Sequence, residues 1–384
     1  MFLRVKTLIL TVQPCISLPI RFKISTMLMI KFLRVTLFCL LSIGPLTGHT
    51  KGHFSDEAPR IAATDASSIS VEKRPESTGK SSDTPVEVTA RTQPATTQPT
   101  TLPGKQPDAA RVLIISVDGL RPDLALRANT PNIRKLMAEG SYSFWARTTP
   151  LAITLPSHTS MLTGVIPRKH EIEWNKDLPL ITPVYPSFPT LFQVAHEHGY
   201  TTAMAAGKSK FSTLDKPGTL DWKWIARTAT ASDADVAKNA IEILQTNKPQ
   251  VFFVHLPDTD NAGHAIGWGT EKQQAAIAQA DVIIGQLLAA LDEIHVRDRT
   301  TIIVTADHGG AGKTHIPDDA RSRHIPWIAV GPNIRKNIDL TTFADLVINT
   351  EDTFATACYV LKIPLKKQID GKPVKEIFDG ELLH

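Results

Sequence analysis

The sequence predicts an α/β fold: a three-layer sandwich around a mostly parallel central sheet, with a small inserted cap. Two patterns carry that expectation. Short runs rich in β-branched residues, beginning at residues 112–117, are apolar on both faces, as strands buried within a parallel sheet are. Such runs recur at residues 201–205, 251–255, 301–305 and 326–330, and helical patterns separate them at residues 234–245 and 271–294. Alternation of this kind places helices on both faces of one sheet. Ligands of such folds collect beyond the carboxyl ends of the strands.

Taken in order, the chain divides into three parts. Residues 1–48 are apolar and basic without an acidic side chain, and residues 27–48 read as a self-sufficient signal peptide, with Lys31 and Arg34 ahead of an apolar run at residues 35–43. That run is short for a bilayer span, so export to a periplasmic or extracellular compartment is expected, with an uncleaved membrane anchor as the alternative. Residues 49–109 are rich in Ser, Thr and Pro, with too few large apolar side chains to offset the entropy of ordering, and read as a disordered linker. Residues 110–384 form the folded domain. Within it, residues 208–227, with Trp222 and Trp224, break the pattern and read as the cap or loop over the site.

Composition narrows the function classes. A net charge of +4 over 384 residues, with Lys and Arg scattered among Asp and Glu, argues against nucleic-acid binding by charge. Cys15, Cys39 and Cys358 are too far apart to suggest a disulfide framework or a thiolate metal site, and Cys358 reads as a small hydrophobe in a helix.

The chemistry lies just past the strands. Asp118 follows the first, Asp258 and Asp260 follow VFFVH, and Asp307 with His308 follows TIIVTA. Any one of these could be an ordinary helix cap. Three carboxylates at one sheet edge would repel one another unless cations neutralise them, and this points to a metal cluster. His264, four residues after Asp260, and His315 add imidazole donors of the kind zinc takes. Gly263, Gly309 and Gly310 would allow the backbone to approach closely.

The segments ISVDGLRPD, NTPN, TLPSHTSMLTG, PDTDNAGH and TADHGG resemble, in order, the motifs of the alkaline phosphatase superfamily, and most closely its type I phosphodiesterase and nucleotide pyrophosphatase branch. The resemblance covers essentially residues 110–384. It implies two divalent metal ions, zinc by expectation. Asp118, Thr154, Asp307 and His308 would hold one, and Asp260, His264 and a later histidine the other. His315, in GGAGKTH, is preferred for that last position, with His324, in RSRHIPW, as the rival; Asp258 is the weaker alternative to Asp260. The resemblance also makes Thr154 the nucleophile, forming a phosphothreonine intermediate, and places Asn175 as a donor to a nonbridging phosphate oxygen.

The implied substrate is a small phosphate ester, a nucleotide among the options, and Tyr185, Phe188, Trp222 and Trp224 are available to stack on a base. Ser157, Thr159 and Ser160 compete with Thr154 as hydroxyls of the same segment. A phosphate monoesterase or phosphonate hydrolase is the nearest alternative, the diester preference resting on Asn175 and on the absence of an obvious extra arginine near Thr154. TLPSH lacks the CxPxR or SxPxR pattern of a sulfatase. The alternative from another class is a noncatalytic metal-binding module.

Overall fold

A computed structural model describes residues 110–176 and 183–380. The readings of residues 1–48 and 49–109, Cys15 and Cys39 included, lie outside the described residues. Eight strands form one sheet: β1 (Arg111–Val117), β2 (Ser141–Arg147), β3 (Thr202–Ala206), β4 (Trp222–Ile225), β5 (Val251–Leu256), β6 (Thr300–Thr305), β7 (His324–Val330) and β8 (Ile338–Asp339). Their spatial order is β4-β3-β5-β1-β6-β7-β2-β8. All neighbours are parallel except β7, which runs against both β6 and β2. The sheet is therefore mostly parallel, as expected.

Strands β3, β5 and β6 are buried at every position, and β1 at all but its first residue, which is why they stand out in the sequence as continuous apolar runs. Strand β2, SYSFWAR, alternates in burial and carries a register shift between Ser143 and Ala146, so it offers no such run. The expected cap is instead a short 3₁₀ turn, Ser209–Leu214, followed by edge strand β4. Trp222 and Trp224 are half-buried in that strand and rest on the core. Their bulk made the stretch look irregular, although an edge strand needs only one covered face.

Registers set the site. Val117 of β1 pairs with Leu256 of β5, and Ser116 pairs with Thr305 of β6. The three central strands thus end together, and the residues that follow them emerge at one edge. Because β7 is reversed, its first residue, His324, also lies near that edge, paired with Arg147 at the end of β2.

The helix Asp258–Ile266, which carries Asp260 and His264, is tied to the helix Asp233–Asn247 by a reciprocal pair. The Asp258 amide donates to Asp233 Oδ1 at 2.9 Å, and the Asp233 amide donates to Asp258 Oδ2 at 2.8 Å. Each carboxylate caps the other helix's N-terminus, where amide donors lack intrahelical partners. This pairing occupies Asp258 and takes it away from the metal role considered for it.

Burial and the neighbouring Asp258 push the Asp233 carboxyl up to about 8. A carboxyl whose folded pKa exceeds its unfolded value, about 4, adds stability below that value and loses it as pH rises towards the folded one. Asp233→Asn keeps an oxygen for the Asp258 amide, so it is expected to make the fall in Tm between about pH 5 and pH 8 shallower than in the unmodified protein. An unchanged slope in thermal melts across that range would refute the assignment.

Candidate active site

Thr154 opens the helix Thr154–Thr163, whose ten residues are all buried. The preceding turn holds Ala152 at φ 46°, a left-handed conformation costly for a residue with a Cβ, and backbone of this kind persists only where its surroundings enforce it. The competing hydroxyls of this helix are engaged in structure. Thr159 donates to the Leu155 carbonyl at 2.7 Å, Thr163 to the Thr159 carbonyl at 2.7 Å, Ser160 pairs with His170 at 3.0 Å, and Ser157 meets the Thr148 and Thr149 hydroxyls at 3.0 Å. Among the described residues, the one hydrogen-bond partner of Thr154 Oγ1 is His308 Nε2 at 3.5 Å.

Lone pairs converge around His308. Its Nδ1 lies 2.9 Å from the Gly309 carbonyl, which can only accept, so Nδ1 carries the proton and Nε2 presents a lone pair. That lone pair faces Asp307 Oδ2 at 3.2 Å and Asp118 Oδ1 at 3.4 Å. Asp118 Oδ1, Asp260 Oδ1 and Asp307 Oδ2 are buried without a hydrogen-bond partner among the described residues. The second oxygen of each is satisfied: Asp118 Oδ2 by Lys208 at 2.6 Å and His255 at 2.9 Å, Asp260 Oδ2 by Lys208 at 2.6 Å, and Asp307 Oδ1 by the Gly119 amide at 3.1 Å.

Electron pairs pointed at one another in a buried space are repulsive. A cation among them removes the repulsion, so the residues present fit a metal. Asp118, Asp307, His308 and Thr154 would hold one ion.

A second group lies beside the first. Asp260, His264 and His315 bring potential ligand atoms within 4.8 Å of one another, as do Asp118, Asp260 and His308. His264 Nε2 is 3.4 Å from Asp260 Oδ1, while its Nδ1 donates to the Lys313 carbonyl at 3.0 Å; such a bond to the far nitrogen is how metal-bound imidazoles are oriented. His315 stacks on His308 with ring centroids 4.0 Å apart, and burial, with His308 next to it, lowers its pKa to about 4, leaving a neutral ring. His324 instead stacks on the exposed Trp145 at 3.8 Å and joins neither group.

The electrostatics record an unbalanced cluster. Burial alone would raise Asp118, yet Lys208, His255 and His308 hold it well below the usual carboxylate range. Asp307 is pushed well above that range by burial and by Asp118 and Asp260. Burial alone would lower Lys208, but the two carboxylates keep its pKa above the ordinary lysine value.

Several site residues are not legible in the sequence. Lys208 is one: it follows β3, which ends at the same edge as β1 and β5, but nothing in the chain order pairs it with the two distant aspartates. Lys210 is another, donating to the Asn175 backbone oxygen at 3.3 Å and to Asn175 Oδ1 at 3.1 Å. Asn175 Oδ1 also accepts from the Leu155 amide at 3.0 Å, which places its carboxamide next to Thr154. His158, one helical turn after Thr154, donates from Nδ1 to the Thr154 carbonyl and accepts from Ser116 at Nε2, both at 2.8 Å. The only sequence hint to it is its spacing from Thr154.

The glycines serve a different purpose from the one expected. Gly263 and Gly310 flank the Trp268 indole, where added Cβ atoms would lie 2.5 and 2.4 Å from the ring, and a Cβ on Gly309 would lie 2.1 Å from the Arg321 carbonyl. Beside the site, a cavity of about 540 Å³ is lined by residues including Trp174, Tyr185, Ser209, Ser212 and Asp215. Phe188 lines a separate apolar cavity that also reaches Cys358.

Comparison with known proteins places this geometry. The family described as type I phosphodiesterase / nucleotide pyrophosphatase matches residues 112–319. An uncharacterised pyrophosphatase/phosphodiesterase of Schizosaccharomyces pombe is 24% identical over 234 residues, covering 52% of this chain and 44% of its own. The mouse bis(5'-adenosyl)-triphosphatase is 24% identical over 218 residues, covering 53% and 48%. This chain thus spans less than half the length of these relatives. Among solved structures, an inactive variant of murine ectonucleotide pyrophosphatase / phosphodiesterase 5 in complex with AMP superposes with a TM-score of 0.59 at 16% identity, over 70% of this chain and 100% of that one. A 2-O glycosaminoglycan sulfatase gives 0.59 at 16% identity, over 70% and 74%, and shares the fold.

Metal analysis of purified variants separates the rival ligands. Asp260→Asn and His315→Ala are expected to lower the metal bound per chain, whereas Asp258→Asn and His324→Ala leave it unchanged. Loss of metal in His324→Ala with retention in His315→Ala would reverse the assignment.

Proposed function

Because this chain belongs to the type I phosphodiesterase / nucleotide pyrophosphatase family, we propose that it hydrolyses phosphodiester or pyrophosphate bonds of small phosphate esters, nucleotides among them, with Thr154 as nucleophile. The observation that carries this reading is the contrast within one helix: its other hydroxyls have structural partners, while Thr154 Oγ1 faces the lone pair of His308. Two divalent ions, zinc by the donor set of carboxylate and imidazole, would favour the alkoxide of the threonine and offset charge on the phosphoryl and leaving oxygens.

The remaining chemistry belongs to the chain. Thr154 Oγ1 forms a bond to phosphorus as the bond to the leaving oxygen breaks, and the product is a phosphothreonine. Water then attacks that phosphorus in a second in-line step, releasing the phosphate product and restoring the threonine. Asn175, held with its Oδ1 against the Leu155 amide, has its amide nitrogen left for a nonbridging oxygen. His158 steadies the first turn of the nucleophile's helix through the Thr154 carbonyl. Burial, with His255 nearby, keeps the His158 pKa well below the usual histidine value, so the imidazole stays neutral and its hydrogen-bond direction fixed.

The Thr154 hydroxyl set beside His308, which metal binding alone does not require, argues against the noncatalytic metal-binding module. The apolar, basic leader in residues 1–48 supports action outside the cytoplasm, in a periplasmic or extracellular compartment. Turnover of bis-p-nitrophenyl phosphate by the purified protein tests the reading. Chelation should abolish it, Thr154→Ala should lower kcat/KM by on the order of 10³-fold or more, and Asn175→Ala by roughly 10²-fold. Diester hydrolysis that survives both chelator and Thr154→Ala would eliminate the proposal.

A further inference from the structure

Two lysines separated by one residue reach the carboxylate cluster, and their situations differ. Lys208 is buried and fully used, its ammonium 2.6 Å from both Asp118 and Asp260. Lys210 is half-buried, and among the described residues its ammonium meets only neutral oxygens, those of Asn175 at 3.1 and 3.3 Å. Among the described residues no carboxylate lies within ion-pair distance of it. A partly desolvated ammonium is stabilised when an anion joins it. Burial and Lys208 lower its pKa, while Asp118, Asp260 and Asp307 act in the opposite sense, so its charge is felt across the cluster.

Its position is specific. Asn175 Oδ1 accepts from both Lys210 and the Leu155 amide, so the ammonium is tethered beside the residue that follows Thr154. The 3₁₀ turn that carries Lys210 also supplies Ser209 and Ser212 to the adjoining cavity. Charge counting then separates substrate classes. Against three carboxylates stand two lysines and, when loaded, two dications, leaving an excess of three positive charges. A threonine alkoxide with a singly charged diester supplies two negative charges. An alkoxide with a doubly ionised phosphoryl group supplies three and closes the balance.

We propose that Lys210, held by Asn175, is a charge-selecting residue that binds the second negative charge of the reacting phosphoryl group. The favoured substrates are then those ending in a doubly ionised phosphoryl or phosphonyl group, as in a monoester, a terminal phosphate or a phosphonate, over simple diesters. This inference rests on the reading of the cluster as a phosphoryl site, and it moves the expected preference from internal to terminal phosphoryl groups. It also supplies the extra cation that the sequence, searched for arginine near Thr154, does not display.

The test measures binding of two anions to the zinc-loaded protein by calorimetry at about pH 8: inorganic phosphate, largely dianionic there, and dimethyl phosphate, a monoanion. The unmodified protein should bind inorganic phosphate at least roughly tenfold more tightly, the scale expected of one charge-assisted hydrogen bond. Lys210→Met should lose most of that ratio and Lys210→Arg should keep much of it, with bound zinc unchanged in each; Lys210→Gln serves if the Met variant does not fold. A ratio unmoved by both neutral variants, or equal weakening of both anions, overturns the inference. Turnover of p-nitrophenyl phosphate and bis-p-nitrophenyl phosphate is followed in parallel. Ester hydrolysis with an unmoved binding ratio would remove the lysine's role alone. No hydrolysis with the ratio present would remove the hydrolytic reading and leave the charge selection standing.

Discussion

Three buried carboxylates, Asp118, Asp260 and Asp307, share one edge of the sheet, and their mutual repulsion is the constraint on which the rest of the site depends. In a medium less polarisable than water, such a cluster holds together only with positive charge inserted among its members. Lys208 supplies part of it, drawing Asp118 and Asp260 to one ammonium. Asp307 receives none directly; its carboxyl is forced up by burial and by its neighbours. The oxygens without partners all face inward, so the residual electrostatic strain is focused where a divalent ion would relieve it.

Around that cluster, neutral groups fix orientation without adding to the repulsion. His158 is held between Ser116 and the Thr154 carbonyl, and its Nδ1 also lies 3.4 Å from Asp307 Oδ2. His255 donates to Asp118 while its ring meets Phe211 at a centroid distance of 4.3 Å. Ring contacts and hydrogen bonds together restrain these side chains, the kind of preorganisation that metal ligands and nucleophiles require.

The frame that carries the cluster explains why the chemistry can vary on it. The same sheet supports a pyrophosphatase/phosphodiesterase and a sulfatase among solved structures, at identities that speak to fold alone. Here the segment after β3 delivers two lysines, and the segment after residue 170 delivers Asn175, which meets the second of them.

Central strands and strand-end aspartates were legible in the amino-acid order because total burial leaves a run of β-branched residues, and because a polar residue directly after such a run is conspicuous. Strand β2 was not, since its alternating burial resembles an ordinary surface segment, and neither was the reversal of β7, since direction leaves no mark on composition. The sequence by itself determined which residue types stand at the strand ends, and through the order of its motifs, the family. Only the tertiary structure set Asp260 and His315, and not Asp258 or His324, among the groups that could hold a metal, and left Thr154 of one helix's hydroxyls beside His308, and only it revealed Lys208 and Lys210. Those choices depend on which lone pairs and charges point at one another across large sequence separations, a matter of distance and direction that chain order does not encode.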